Sequence, residues 1–226
     1  MRDTLKENVH YFVELAQQNN VKLIAVTKTV PVDIINTAIS YGITAIGENR
    51  VQELLDKYEL LNKNGIEIHL IGHLQTNKVK YIIDKVDLIH SVDSLKLANE
   101  INKHAKKINK VQNVLVQVNV SKEASKGGVD PESLTELLVS LSQLSNIKVC
   151  GLMCIPLPQE ISGDNSVYFA QLHKMLVDNN NKNIDNINMD ILSMGMSSDY
   201  LTAIKCGSNM IRVGTKIFGK RNYTEV

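Results

Sequence analysis

With 226 residues, 25 basic against 24 acidic side chains and a net charge of +1, the chain lacks the strongly basic face that nucleic-acid binding requires. Hydrophobic residues make up 43%, yet no apolar run approaches the roughly 18 residues of a membrane span, so a globular chain with no membrane partner is expected. Residues 1–7 carry charge where a signal peptide needs an apolar core, and Cys150, Cys154 and Cys206 form an odd set without metal spacing, which fits a reducing cytoplasm.

Residues 2–17 put Leu5, Val9, Phe12, Val13 and Ala16 on one helical face, predicting a helix ahead of the first strand. Strands are then expected at 22–27, 44–47, 67–71, 88–91, 114–119, 148–153, 189–193 and 210–213. Several are nearly continuous apolar runs, as parallel strands covered on both faces require. Pro31-Val32-Asp33 opens a helix through Ile35 and Ile39 to Gly42, a residue suited to end it. Further helices are expected over 49–61, over 95–107 behind Asp93-Ser94, and behind Asp130-Pro131-Glu132, where proline takes an early helical position. Lys103, Lys106, Lys107 and Lys110 read as the solvated end of one of these helices. The stretch 156–165, with Pro158 and Gly163, reads as an enlarged loop. Eight β-then-α units predict a single (β/α)8 TIM barrel over 1–226 with an extra N-terminal helix. An open doubly wound sheet competes, but no Gly-x-Gly-x-x-Gly follows the first strand.

In such a barrel, chemistry gathers at the carboxyl ends of the strands. Strand one ends in Lys28, either an imine-forming amine or a lysine whose head reaches water. The last two strands lead into Ser193-Met194-Gly195-Met196-Ser197-Ser198-Asp199 and Arg212-Val213-Gly214-Thr215. Glycine turns with hydroxyl residues at a helix start offer donors to an anion, although Ser197 and Ser198 also read as plain helix caps. Barrel closure would bring these loops beside strand one, so a phosphate there and an imine on Lys28 would hold the two ends of pyridoxal phosphate. His69 and His73 lack the spacing of a metal pair, and no metal is expected.

Segments along nearly the whole chain fit a known pattern. They are Ala25-Val26-Thr27-Lys28-Thr29, Gly47-Glu48-Asn49-Arg50-Val51-Gln52-Glu53, His69-Leu70-Ile71-Gly72-His73-Leu74-Gln75-Thr76-Asn77-Lys78, His90-Ser91-Val92-Asp93-Ser94, Gly151-Leu152-Met153, the Ser193 to Asp199 run and the Arg212 to Gly219 run. In these the chain resembles the YggS/PROSC family of pyridoxal-phosphate homeostasis proteins. The resemblance implies a barrel like that of alanine racemase, with pyridoxal 5'-phosphate (PLP) held on Lys28 as an internal aldimine, a Schiff base. It implies a cofactor-binding set of Lys28, Asn49, Met196, Ser197, Ser198, Arg212, Gly214 and Thr215. Ser197, Gly214 and Thr215 would hold the phosphate, helped by Ser198 and the adjoining backbone. Asn49 would flank the ring and Arg212 would face the pyridine nitrogen.

The implied function is intracellular PLP homeostasis: storing, buffering or delivering the cofactor, with effects on amino-acid and keto-acid balance. A monomer is expected, with PLP-dependent apoenzymes as the partners that delivery would require. Two enzyme readings compete. A racemase needs an acid/base group on each face of the substrate carbon. The resembling racemases take the opposite tyrosine from a further domain and a partner subunit, whereas this chain ends soon after strand eight and Tyr223 has nothing to orient it. A class I aldolase would use Lys28 on a keto substrate.

Overall fold

The computed structural model describes residues 2–123, 127–157 and 159–219; Pro158 and Tyr223 lie outside them. Helix α1 (Arg2–Gln18) turns its apolar stripe inward, burying Leu5, Val9, Phe12 and Ala16 with Val13 half-buried. Phe12 meets Tyr200 edge-on at 5.2 Å between ring centres, and Asn8 Nδ2 donates to Ile217 O at 3.1 Å. The extra helix therefore packs against the far end of the chain.

Eight strands follow: β1 (Lys22–Val26), β2 (Ala45–Glu48), β3 (Glu67–Leu70), β4 (Leu88–Val92), β5 (Gln112–Gln117), β6 (Ile147–Met153), β7 (Ile187–Ser193) and β8 (Met210–Val213). They pair in parallel and in chain order, and β1 closes the barrel on β8 with Lys22 opposite Met210 and Ala25 opposite Val213. The barrel expected from the alternating pattern is the fold. Strand β5 stops short of Asn119 because the chain turns to meet a later segment: Val129 N–H donates to Gln117 O at 2.8 Å and Asn119 N–H to Val129 O at 3.0 Å.

The helices are α2 (Val32–Ser40), α3 (Val51–Tyr58), α4 (Leu95–Lys107), α5 (Leu134–Ser142), α6 (Gln159–Ser162), α7 (Ser166–Asn180), α8 (Tyr200–Lys205) and α9 (Thr215–Phe218). Ser94 Oγ caps α4 by accepting from Leu97 N–H at 3.4 Å, and the Asp130 carboxylate accepts from Glu132 N–H at 2.9 Å to start the turn into α5. Fully buried Ile35, Leu54, Ile101, Leu138 and Leu172 seat α2, α3, α4, α5 and α7 on the strands. Each such side chain contributes about 1.5–3 kcal/mol, enough to hold helices whose own propensity is modest. A separate small cluster of Ile24, Ala45, Leu88, Leu115, Met153 and Met210 fills the barrel interior.

Three expectations change. Helix α3 is shorter than 49–61 because Arg50 is extended, with φ −126°, and Asn49 belongs to the strand exit. The stretch 156–165 carries the helical turn α6, and its Asn165 is buried. Lys110 is not simply solvated: its Nζ donates to Ile83 O at 2.8 Å and Val86 O at 2.6 Å, and burial pulls its pKa down.

Candidate functional site

Beyond β1 the chain makes a tight turn in which Val30 N–H donates to Thr27 O at 3.0 Å. Thr29 in this turn has φ +61°, a left-handed conformation that a β-branched residue rarely adopts. The turn is held from behind. Thr29 N–H donates to the Glu53 carboxylate, and Lys57 Nζ donates to Thr27 O at 2.8 Å. Lys57 also binds Glu48 Oε1 at 2.8 Å and Glu53 Oε1 at 2.7 Å, while Thr27 Oγ1 donates to Glu48 Oε1 at 2.7 Å. Glu48 is fully buried and Lys57 nearly so. Burial pushes the Glu48 carboxyl up, against the opposing pull of the Lys57 ammonium. Sequence reasoning missed Lys57. Its available signal was a lysine three residues past Leu54, on the buried face of α3.

Half-buried Lys28, carried by this turn, lines a cavity of about 430 Å³ at the carboxyl ends of the strands. The same cavity is lined by Asn49, by Met196, Ser197 and Ser198 after β7, by Arg212 on β8, and by Gly214 and Thr215 at the start of α9. Every residue expected to bind a cofactor therefore meets in one space, with Val26, Ile71 and Ile155 as its apolar wall. A larger cavity of about 680 Å³ opens at the opposite mouth, around Lys22, Glu67, His69 and Asn209. It lies at the amino ends of the strands, where barrels do not place their chemistry.

The strand exits are shaped by close backbone contacts. At Gly72 a Cβ would come within 2.1 Å of Asn49 O, so only glycine lets the two exits touch. The Asn49 Oδ1 atom is buried and has no hydrogen-bond partner among the described residues. Gly195 has φ +92°, and a Cβ there would stand 2.5 Å from the Ala203 Cβ. Met196 N–H donates to Asp199 Oδ1 at 2.7 Å, and Asn165 Nδ2 donates to Asp199 Oδ2 at 2.8 Å. Buried Asp199, rather than Ser197 or Ser198, thus occupies the cap of α8, and it ties the loop after β7 to the one after β6. Ser197 Oγ instead accepts from Gly214 N–H at 3.2 Å, joining the two anion-ready loops. Asn165 and Asp199 are positioning residues: the sequence patterns did not single out Asn165, and they carried Asp199 only as the end of the Ser193 to Asp199 run, without this role.

Arg212 is buried, donating from Nη1 to Ser193 Oγ at 2.6 Å and from Nη2 to Cys154 O at 2.8 Å. Burial lowers its pKa, yet a guanidinium starts so high that it remains charged. Burial also pushes the Cys154 thiol up to about 12, which makes it an inert neighbour. Among the described residues no His, Cys, Asp and Glu cluster suits a metal ion; His69 is buried in the barrel while His73 is exposed.

Comparison with known proteins places this geometry in a family. The alanine racemase N-terminal domain family matches residues 1–222. The pyridoxal phosphate homeostasis protein of Aquifex aeolicus is 47% identical over 206 residues, spanning 91% of this chain and 90% of that one. The structure of PipY from Synechococcus elongatus with PLP bound has a TM-score of 0.84 at 36% identity, covering 94% of this chain and 100% of PipY. Alanine racemase from Streptomyces coelicolor, at 16% identity and a TM-score of 0.75, shares the fold over 97% of this chain and 59% of its own. The chain belongs to the alanine racemase N-terminal domain family and, within it, to the pyridoxal phosphate homeostasis proteins.

Proposed function

We propose that this protein binds PLP covalently on Lys28 and holds, buffers and delivers it, rather than turning over a substrate of its own. The carrying observation is the composition of one cavity: a lysine, a buried guanidinium and two hydroxyl-bearing loops around about 430 Å³. The residues fit the cofactor. The Asn49 amide oxygen, without a partner among the described residues, can be satisfied by a polar ring substituent, and among those residues Arg212 donates to neutral oxygens at Ser193 and Cys154. When bound, PLP supplies an aldehyde for the lysine and an electron-withdrawing ring.

The chain's own residues divide the work. Lys28 provides the amine, and Ser197, Ser198, Gly214 and Thr215 bind the phosphate, with Met196 at the edge. Arg212 faces the pyridine nitrogen and, being permanently protonated, donates to it without protonating it. That keeps the ring a weak electron sink. Val26, Ile71 and Ile155 exclude water beside the lysine.

Moving a proton at a substrate carbon on both faces takes two acid/base groups. Among the described lining residues no His, Tyr, Cys, Asp or Glu stands opposite Lys28, and exposed Lys216 lies over the Tyr200 ring at 4.9 Å. This favours holding over turnover. Delivery implies transient contact of a monomer with PLP-dependent apoenzymes in the cytoplasm. Among the described residues no helix is long and apolar enough to cross a membrane.

The test is to titrate purified protein and its Lys28→Ala variant with PLP, following visible absorbance. A band in the wild type alone, and recovery of activity when loaded protein is mixed with a PLP-free aminotransferase, are expected. Chiral analysis after incubation with alanine or serine should find no turnover. Rates of roughly 1 per second or more would overturn the holding role.

A further inference from the structure

Arg212 is one end of a hydrogen-bonded chain through the barrel interior. Ser193 Oγ lies 2.6 Å from Arg212 Nη1 and 3.1 Å from His90 Nδ1. His90 Nε2 lies 2.9 Å from His69 Nδ1, and His69 Nε2 lies 3.1 Å from Glu67 Oε2. Arg212, Ser193, His90 and His69 come from β8, β7, β4 and β3, and all four are buried. Glu67 emerges half-exposed at the opposite mouth, paired with Lys22 of β1.

Chemistry fixes the direction of every bond. A guanidinium has donors only, so Ser193 Oγ accepts from Arg212. The serine's own proton then goes to His90 Nδ1, its other partner at hydrogen-bond distance. His90 must carry its proton on Nε2 and donate to His69 Nδ1. His69 in turn carries its proton on Nε2 and donates to Glu67. The opposite direction would need an imidazolium at His69 and would leave the Ser193 hydroxyl proton buried without an acceptor, a costly arrangement. Burial, with the positive charges of Arg212 and Lys22 beside it, holds His90 well below the usual imidazole range, which suits a neutral ring. The bond from His69 is the main cause holding Glu67 down to about 2.

We propose that Ser193, His90 and His69 are positioning residues for Arg212: a one-way relay of neutral Nε2–H imidazoles that fixes the guanidinium and couples it to the Glu67 carboxylate across the barrel. The inference rests on the assignment of Arg212 to the pyridine nitrogen of PLP. Without the relay the guanidinium keeps its bond to Cys154 O but loses its anchor at Nη1, so its orientation, the cofactor affinity and the ring electron density all change. Loss of the Glu67 charge, at the mouth remote from the cofactor cavity, should also be felt at the ring.

Two measurements test this. Long-range proton–nitrogen correlation spectra of the histidine-labelled apoprotein near neutral pH should show Nε2–H tautomers at both His69 and His90. An Nδ1–H tautomer or an imidazolium at either position overturns the relay. The protein is then loaded with PLP carrying nitrogen-15 in its ring. Ser193→Ala and His90→Phe should move the pyridine resonance and raise the Kd for PLP about tenfold, the scale of one hydrogen bond to a charged group. Glu67→Gln, a near-isosteric change at a half-exposed site, should move the His90 and pyridine resonances by a smaller amount. A pyridine resonance unmoved in both Ser193→Ala and Glu67→Gln overturns the coupling. Failure of the wild type to attach PLP at Lys28 would instead refute the cofactor assignment, and the apoprotein tautomers distinguish the two failures.

Discussion

Replacing Lys57 by Met removes the cation from the centre of the cluster behind Lys28. The new side chain is apolar and of similar length, so packing is largely preserved while Glu48, Glu53 and Thr27 O lose a shared donor. Removing one partner of a buried pair costs about 3–5 kcal/mol. In a domain of this size each kcal/mol moves Tm by about 2–4 °C, so a fall on the order of 10 °C is expected. Restoring neutrality in Glu48→Gln/Lys57→Met should recover most of the loss, because two neutral groups replace a buried pair. Calorimetry of the apoproteins, combined as a double-mutant cycle, reads this directly.

The pH dependence adds a sign to the prediction. Glu48 titrates in the folded protein above its ordinary value of 4.5, chiefly through burial. The folded state therefore holds the extra proton between the two values, and stability falls as pH rises through that window. Without the ammonium the folded value moves further up and the window widens. The deficit of Lys57→Met should thus be smallest near 4.5 and grow with rising pH. A variant that melts within about 2 °C of wild type across this range, less than 1 kcal/mol, would refute the cluster as a support for the turn.

Other perturbations have equally definite outcomes. Gly195→Ala forces a side chain into a left-handed backbone and against Ala203, so denaturant melts should show a loss of about 1–3 kcal/mol and PLP binding should weaken; unchanged stability would mean the loop has room to spare. Glu67 is held down to about 2 in the folded state, so its stabilising contribution is present above 4.5 and lost as pH falls between the two values. Glu67→Gln should therefore flatten part of the acid limb of a urea-melt series, modestly because the group is half-exposed, and superimposable acid limbs would contradict this. With its thiol pushed up to about 12, Cys154 should stay unlabelled by iodoacetamide in the native protein while Cys150 and Cys206 react first.

The barrel was readable because its signals are local. Apolar runs such as Leu23 to Val26 mark strands covered on both faces, and capping residues such as Ser94 mark where helices begin. The eight residues of the expected cofactor set were readable too, because each sits in a short motif at a strand exit that the family resemblance marks, whereas Ile155, in no such motif, was not. What stayed hidden depends on barrel closure. His90 and Ser193 stand 103 positions apart, and their bond exists only because β4 and β7 face one interior. Lys57 looks like an ordinary surface lysine until α3 docks and its amine meets Thr27 O. The stretch 156–165 read as a loop from Pro158 and Gly163, but α6 and the Asn165–Asp199 bond give it order from outside its own sequence.

The most direct test of the central claim is peptide mapping of the PLP-loaded protein after borohydride reduction. We expect the pyridoxyl adduct on the peptide carrying Lys28, and none when Lys28 is replaced by Ala. An adduct on Lys57 or Lys216 instead, or no adduct in the wild type, would contradict the account.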